Sequence, residues 1–308
     1  MNEAQPHPSS PLLAGIELGG TKCVCLVGTG PEDIRARVTV PTTDPDSTLA
    51  QLNSILDGWQ SAFGSLHALG IASFGPIDLR RDCATFGRVT ADAKPGWAGT
   101  DVFKNLGARR GIPVALNTDV NGAALAEGRW GAARSLDDYA YITVGTGVGV
   151  GLIVGGRPVF GCHHTELGHI RIARHPADQW PGACRFHGDC VEGLVSGPAI
   201  AARAGVPGHD IPATSPIWEF VAHALGQLFH TLLLSTAPRR ILIGGGVVEN
   251  HPELLAAARK MFIASVNGYL KVEALTGKVE QYIIPPQLGP LAGPLGALAL
   301  AANASDSW

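Results

Sequence analysis

Two glycine-interrupted hairpins are the feature that most constrains the fold of this chain of 308 residues. In residues 12–30, apolar runs lie on both sides of the turn Gly19-Gly20-Thr21, and in residues 138–154 they lie on both sides of Gly145-Thr146-Gly147. Apolar runs separated by a short glycine turn are typical of β-hairpins. Alternating helix-like and strand-like segments follow each hairpin. This order predicts an α/β chain of two related lobes around a cleft.

Hydrophobic periodicity predicts the elements that follow the hairpins. Helices are expected over residues 47–66, 101–107, 120–130, 196–205, 216–235, 253–262 and 291–302. Strands are expected over residues 68–73, 113–117 and 240–243. The stretch from residue 161 to residue 193 is predicted to be irregular. We expect a first lobe of residues 12–121, to which residues 291–303 return, and a second lobe of residues 122–290.

The composition excludes several classes of function. The net charge is only −3, so a nucleic-acid or membrane-surface partner is not expected. The N-terminal sequence lacks the basic start and apolar core of a signal peptide, and no apolar run approaches the roughly 18 residues of a membrane span. We therefore expect a soluble, cytoplasmic protein. Its six cysteines are then reduced thiols or metal ligands rather than disulfides.

Four potential metal ligands are concentrated in the irregular stretch. They are two imidazoles and two thiols: His169, Cys184, His187 and Cys190. Such a Cys2His2 set suits a tetrahedral zinc ion. Three further histidines nearby are rival ligands: His163, His164 and His175. Glu166 and Glu192 flank the set, so a metal here would tie two carboxylate-bearing loops to one point and shape a site.

Three glycine loops, each at the end of a strand, favour a nucleotide held by backbone N–H groups. In the first, the pair Gly19-Gly20 is followed by Thr21 and Lys22, which can add donors, and a plain hairpin turn is the alternative. The second, TVGTGVGVG, lacks the Walker pattern, and the strand-like sequence after it excludes a dinucleotide fingerprint. The third, Gly244-Gly245-Gly246-Val247, would alone be a strand-to-helix turn.

A single carboxylate lies where a predicted strand gives way to a helix. Asp119, in the sequence NTDVN, can accept a proton from a substrate hydroxyl. Aspartate is also a preferred N-cap residue, so helix capping is the alternative. The residues alone leave both roles open.

Together these motifs resemble those of the ROK kinases, bacterial sugar kinases of the actin-like ATPase superfamily. The resemblance runs in the family's order from about residue 13 to about residue 300, through ELGGTK, TDVNGAALAE, TVGTGVGVG, ELGH, CRFHGDCVEG and GGGV. It implies a two-lobed actin-like (RNase H-like) α/β fold with a central cleft and a structural zinc loop. It also implies ATP and Mg2+ as cofactors besides Zn2+, and a homodimer.

The resemblance further implies a role for each motif. Asp119 would be the general base that takes the proton of the sugar's primary hydroxyl as its oxygen attacks the γ-phosphate. The sugar would be bound by Glu166, His169 and Glu192, and the zinc by His169, Cys184, His187 and Cys190. The nucleotide would be bound by Gly19, Gly20, Thr21, Lys22 and Thr146 at its phosphates and by Pro198, Gly244, Gly245, Gly246, Val247 and Val248 at its adenosine.

Several details resemble the fructokinase branch of the family: SFGPIDL, KPGW, Thr118 where glucokinases usually carry Asn, and the Cys-x-x-His-x-x-Cys spacing of the metal loop. Glu17 stands where most of the family has an Asp that helps to hold magnesium through water, and the fructokinase branch generally carries Glu there. The implied reaction is ATP-dependent phosphorylation of D-fructose to D-fructose 6-phosphate.

Three rival functions can be weighed against this one. A glucokinase or broad hexokinase acting on glucose or mannose is the rival within the enzyme class. A ROK-type transcriptional repressor would need a helix-turn-helix before the first lobe, and the segment there is short and not basic. A catalytically silent sugar sensor would not need an intact Asp119 and phosphate loops, so neither of these last two is expected.

Overall fold

The computed structural model describes residues 11–91, 94–271 and 277–306. The chain divides into two compact units. The first contains the chain up to Trp130 together with the segment from Leu291 onward, and the second is Gly131–Pro290. The predicted lobe boundaries stay a prediction. Among the helices of the described ranges, none combines the length and the apolarity that crossing a membrane requires.

A mixed sheet forms the centre of the first unit. Its strands are β1 (Leu13–Leu18), β2 (Lys22–Gly30), β3 (Asp33–Pro41), β4 (Ala68–Ser73) and β5 (Val114–Thr118). They lie in the order β3-β2-β1-β4-β5. The predicted first hairpin is confirmed, because β1 and β2 pair antiparallel with Leu18 opposite Cys23. β3 extends the sheet antiparallel to β2, whereas β4 and β5 continue it parallel to β1.

The helices of the first unit cover this sheet. They are α1 (Pro45–Phe63), α2 (Val102–Leu106), α3 (Asp119–Trp130) and the C-terminal α10 (Ala292–Asp306). α1 begins before the predicted residue 47 because the Asp44 side chain accepts the N–H of Ser47, and Pro45 suits the first helical turn. Its buried face includes Leu49, Leu52 and Leu56, as the periodicity predicted.

α10 lies unusually close to the sheet and to α3 because glycines remove side chains from the contacts. An ideal Cβ built on Gly70 of β4 would lie 1.8 Å from the carbonyl oxygen of Ala297. A Cβ on Gly15 of β1 would lie 2.9 Å from the Cβ of Ala297. One on Gly296 would lie 2.3 Å from the carbonyl carbon of Gly122 in α3. The backbones of α3, α10 and the sheet therefore pack against one another directly.

The second unit repeats the sheet of the first. Its strands are β6 (Tyr139–Val144), β7 (Val148–Val154), β8 (Arg157–Pro158), β9 (Ile241–Gly244) and β10 (Ile283–Ile284). They lie in the order β10-β9-β6-β7-β8. β6 pairs antiparallel with β7 as the second predicted hairpin, and parallel with β9. Because the strand order and directions match those of β1–β5, the predicted relation between the two α/β repeats is confirmed.

The helices of the second unit bury the apolar face of its sheet. They are α4 (Val191–Val195), α5 (Gly197–Ala204), α6 (Ile217–Thr236), α7 (Gly246–Asn250), α8 (Pro252–Val266) and α9 (Val279–Tyr282). α6 and α8 supply large side chains to the core, among them Phe229 and Phe262, which are fully buried. The stretch predicted to be irregular contains only a short 3-10 turn, Leu167–His169, before α4 begins.

Some elements were not predicted from the sequence. The strand β3 was missed although its apolar residues alternate: Ile34, Ala36, Val38 and Val40. The residues between them point outward and include Arg35 and Arg37, which are exposed. The segment therefore lacks a continuous apolar run, and only its period of two indicates a strand. The short β8, β10, α4, α7 and α9 were also missed, because elements of a few residues carry too little periodicity to be recognised. α4 begins at Val191, so the prediction of irregular structure up to residue 193 is wrong for its last three residues.

The close approach of α10 to the sheet generates a stability prediction. We expect Gly70→Ala to lower the free energy of unfolding by about 1–3 kcal/mol, because the new methyl group meets backbone rather than a movable side chain. The measurement is urea unfolding followed by circular dichroism. The matched control is Gly58→Ala in α1, where an added Cβ meets nothing within 4 Å. This change should raise stability by about 0.5–1 kcal/mol through helix propensity. If Gly70→Ala unfolded with the same urea midpoint as the wild type, the close packing of α10 on the sheet would be contradicted.

Candidate functional site

The four sequence-predicted metal ligands come together in the second unit. The ligand atoms of His169, Cys184, His187 and Cys190 all lie within 4.8 Å of one another. The Sγ of Cys184 lies 3.7 Å from the Nδ1 of His169 and 3.7 Å from the Nδ1 of His187. The Sγ of Cys190 lies 3.6 Å from the Nδ1 of His169. Four donor atoms thus face one point.

This donor set fits a tetrahedral zinc ion. Zinc bonds of about 2.3 Å to sulfur and about 2.0–2.1 Å to nitrogen, at tetrahedral angles, require sulfur and nitrogen to be about 3.6 Å apart. The observed separations of 3.6 and 3.7 Å agree with that requirement. Burial raises the pKa of the Cys190 thiol to about 11, so a nearby cation is what would hold this sulfur as a thiolate at neutral pH.

The rival histidines lie outside the cluster and make other contacts. The Nδ1 of His163 is 3.0 Å from the carbonyl oxygen of His164. The Nδ1 of His164 is 3.4 Å from the Oε1 of Glu166. The Nε2 of His175 is 3.7 Å from the Oε1 of Glu219 on α6. The sequence left these three open as ligands, and the structure favours the original four.

Tight turns position the two cysteines. Cys184 and Gly188 exchange backbone hydrogen bonds of 3.1 and 2.8 Å, which closes the loop CRFHG. Gly188 has a φ of 64°, a conformation that glycine adopts without strain. Cys190 then caps α4, its sulfur accepting the N–H of Gly193 at 3.5 Å. A Cβ on Gly193 would lie 1.9 Å from the carbonyl oxygen of Gly188, so this turn tolerates no side chain there.

Ion pairs brace the loop that carries the cluster. The carboxylate of Asp178 is 2.7 Å from the Nη2 of Arg203 on α5 and 3.1 Å from the Nη2 of Arg174. Arg174 also donates from Nη1 to Asp189, one residue before the ligand Cys190, at 3.1 Å. Asp178 is nearly inaccessible to solvent. Removing its charge from water is costly, so the pairing with the two arginines stabilises the loop only if their geometry is good.

Glu192 connects the metal cluster to the second glycine loop. Its Oε2 accepts the backbone N–H of Val148 at 3.1 Å. Its Oε1 lies 3.9 Å from the Nε2 of His169, the ring nitrogen turned away from the cluster. A Cβ on Gly147 would lie 2.8 Å from the same carboxylate. Glycine at this position therefore lets Glu192 approach the loop, and the side chains of His169 and Glu192 lie beside each other.

Glu166 lies on the other side of the 3-10 turn. Its carbonyl oxygen accepts the N–H of His169 at 2.9 Å. Its side chain is 42% exposed, and its carboxylate lies beside His164. The carboxylate of Glu166 is therefore accessible to solvent and to a bound small molecule.

Four of the predicted nucleotide residues line one cavity of about 340 Å³ in the second unit: Thr146, Pro198, Gly246 and Val247. Gly244 and Val248 instead line a second, apolar cavity of about 400 Å³. Gly245 has a φ of 94°, and a Cβ there would lie 2.6 Å from the backbone of Val144. This glycine therefore turns the chain from β9 into α7, directly against β6.

Sequence reasoning missed the aromatic wall of the first cavity. Trp218 on α6 and His251 at the end of α7 have ring centroids 3.9 Å apart, and both line it. A base can stack against such a wall. No local pattern signals this pair, because its members come from separate helices far apart in the sequence.

The first glycine loop and Asp119 belong to the first unit. The turn between β1 and β2 is closed by the N–H of Gly19, which donates to the carbonyl of Lys22 at 3.2 Å. Gly20, Thr21 and Lys22 are exposed. A plain hairpin turn and an exposed phosphate loop share this geometry, so both interpretations of the turn remain compatible with it.

Asp119 is not the N-cap of α3. Thr118 has that role, because its Oγ1 accepts the N–H of Asn121 at 3.3 Å. Asp119 is the first residue of the helix, and its Oδ1 accepts the N–H of Val120 at 2.8 Å. Burial nevertheless raises the pKa of its carboxyl to about 6. A group with this pKa is largely ionised at neutral pH and can still take up a proton.

A second carboxylate, Glu17, lies near Asp119. Burial, and next the negative charge of Asp119, raise the pKa of Glu17 to about 7. Its Oε1 is 2.0 Å from the position of a Cβ on Gly293, in the first turn of α10. The close packing of α10 thus encloses this carboxylate. Two half-buried acids in one electrostatic environment favour a shared proton or a bound cation.

The chain is similar to known sugar kinases over nearly its whole length. It is 41% identical to a putative fructokinase of Bacillus subtilis (strain 168), covering 95% of this chain and 96% of that protein. It is 38% identical to the fructokinase of Pediococcus pentosaceus, covering 94% of this chain and 97% of that protein.

The fold is also similar to that of solved sugar-kinase structures. A ROK family glucokinase from Streptomyces griseus, in complex with glucose and AMPPNP, superposes with a TM-score of 0.73 at 25% identity, covering 95% of this chain and 99% of that chain. The predicted actin-like α/β fold is thereby confirmed. The ROK family matches residues 13–304. The chain belongs to the ROK family.

Proposed function

We propose that this protein is an ATP-dependent fructokinase, which transfers the γ-phosphoryl group of ATP to the 6-hydroxyl of D-fructose and yields D-fructose 6-phosphate. The observation that carries the reaction type is Asp119, a carboxylate with a pKa of about 6 at the start of α3. The similarity to fructokinases along nearly the whole chain supports fructose as the acceptor.

Asp119 acts as the general base in this proposal. As the fructose 6-oxygen attacks the γ-phosphorus, the bond from that phosphorus to the β–γ bridging oxygen breaks, ADP leaves, and the 6-hydroxyl proton passes to Asp119. The helix N–H of Val120 holds one carboxylate oxygen at 2.8 Å and so orients the other. A pKa near the working pH suits a base that must accept and then release a proton.

Glu17 is the residue we propose for holding magnesium. Carboxylate oxygens are the ligands that Mg2+ prefers, and the ion neutralises phosphate charge when it binds with ATP. The raised pKa of Glu17 supports this assignment, because a cation would offset the repulsion from Asp119 and the cost of burial.

The sugar carboxylates and the nucleotide loops complete the proposal. Glu166, His169 and Glu192 bind fructose: the carboxylate oxygens accept sugar hydroxyls, and His169, whose Nδ1 faces the metal cluster, donates its Nε2–H to a sugar oxygen. The loop of Gly19, Gly20, Thr21 and Lys22, together with Thr146, binds phosphate. Pro198 and the loop from Gly244 to Val248 bind adenosine, with Gly245 shaping the turn. AMPPNP in the Streptomyces griseus relative is an ATP analogue, which supports ATP as the donor.

The zinc in this proposal is structural. Its ligands are His169, Cys184, His187 and Cys190, and four protein ligands leave no open position for a reacting water. The ion therefore orients His169 and the two flanking carboxylates rather than taking part in the chemistry. We further propose a homodimer in the cytoplasm, which rests on the family resemblance and the composition.

The central test of the reaction is Asp119→Asn. We expect its kcat with ATP and fructose to fall by about 10²–10⁴-fold, because asparagine cannot accept the hydroxyl proton. ADP release is measured in a coupled assay. The control is Asp46→Asn, an exposed aspartate in the first turn of α1, which should turn over like the wild type. Near-native activity of Asp119→Asn would sink the assignment of the base.

The metal assignment predicts zinc content. Wild-type protein purified without added metal should carry stoichiometric zinc in mass-spectrometric metal analysis, and Cys184→Ser should lose most of it because one of four ligands is gone. The matched control is Cys162→Ser, an exposed free thiol of the same unit outside the cluster, which should retain zinc. A zinc-free wild type, or equal zinc in both variants, rules the site out.

A further inference from the structure

His164 is a buried histidine to which the proposed function gives no role. It lies on the loop that leads from β8 to the 3-10 turn, and its backbone bridges to Phe160. Only 2% of its side chain is exposed. It lies outside the metal cluster, so its burial needs another explanation.

The contacts of His164 determine which ring nitrogen carries the proton. Nδ1 lies 3.4 Å from the carbonyl oxygen of Thr165 and 3.4 Å from the Oε1 of Glu166. A carbonyl accepts hydrogen bonds only, and so does an ionised carboxylate. Nδ1 is therefore the donor: it donates to the Thr165 carbonyl, and the Glu166 carboxylate lies at the same distance. Burial, and next the neighbouring His163, lower the pKa of His164 to about 4, so the ring is neutral at physiological pH and this N–H is its single donor.

The ring is also held in place by its neighbour. His163 packs against it with ring centroids 3.9 Å apart. The Nδ1 of His163 donates to the carbonyl oxygen of His164 at 3.0 Å. The ring of His164 is thus fixed by burial and by its contact with the tilted ring of His163. Glu166, by contrast, is 42% exposed on a flexible side chain, so a fixed donor beside it restricts the positions that its carboxylate can take.

We propose that His164 is a positioning residue for the sugar: its Nδ1–H orients the carboxylate of Glu166 so that this group can accept a hydroxyl of the acceptor hexose. The inference rests on the proposed role of Glu166 in sugar binding. It adds a hydrogen-bond donor that acts on the sugar through Glu166 rather than by direct contact. The role depends on the position of one ring nitrogen, Nδ1.

A pair of substitutions tests directly whether the N–H at the Nδ1 position of residue 164 is needed. Asparagine places its amide N–H close to the position of the histidine Nδ1, whereas glutamine places it near the position of Nε2. We expect His164→Gln to raise the KM for the hexose about tenfold or more, the effect of losing a hydrogen bond to a charged group. His164→Asn should stay near the wild-type value. The KM for ATP and the zinc content should be unchanged in both variants.

The assay uses whichever of fructose, glucose and mannose the wild type phosphorylates best. A failure of fructose as substrate and a failure of His164 as a positioning residue are then separate results. Glu166→Gln is measured alongside, and it should raise the KM for the same hexose.

Three results would overturn the inference. One is a wild-type hexose KM in His164→Gln. Another is an equal rise in both His164 variants, which would indicate loss of packing rather than loss of the donor. The third is a wild-type hexose KM in Glu166→Gln, which would remove the group on which His164 is proposed to act.

Discussion

The convergence of four donor atoms on one point is the constraint on which the rest of the second unit's site depends. The chain from residue 161 to α4 contains little regular structure in its described residues, so backbone hydrogen bonds alone fix it poorly. His169, Cys184, His187 and Cys190 draw its two ends to one point. His169 then presents its second nitrogen toward Glu192, and Glu192 accepts the N–H of Val148. The cluster thereby fixes the carboxylate of Glu192 and the second glycine loop together.

A different constraint shapes the site residues of the first unit. Glycines at positions 15, 70, 122 and 296 let α10 pack directly on the sheet and on α3. The same helix encloses Glu17 beneath Gly293, and Asp119 begins the helix against which α10 packs. Burial then raises the pKa of both carboxyls. In this unit backbone packing shifts the pKa values of two carboxyls, whereas in the other the four-residue cluster fixes the geometry of neighbouring side chains.

Much of this was predictable from sequence because the signals are local. Glycine turns between apolar runs predicted both hairpins, and the spacing of two cysteines and two histidines predicted the cluster. The contacts that were missed join residues that are far apart in the sequence and belong to no common hydrophobic pattern. Trp218 and His251 meet only because α6 and α7 converge on one cavity. The sequence could not separate Asp119 from an N-cap, because the distinction depends on Thr118 accepting the helix N–H. His164 differs from the metal ligands only in which neighbours surround its ring.

Substrate choice is the measurement that tests the account most directly. The values of kcat/KM for ADP release are compared for fructose, glucose and mannose with the wild-type protein at saturating ATP and magnesium. The account predicts that fructose has the highest value. A higher value for glucose or mannose, or no ADP release with fructose, would contradict it.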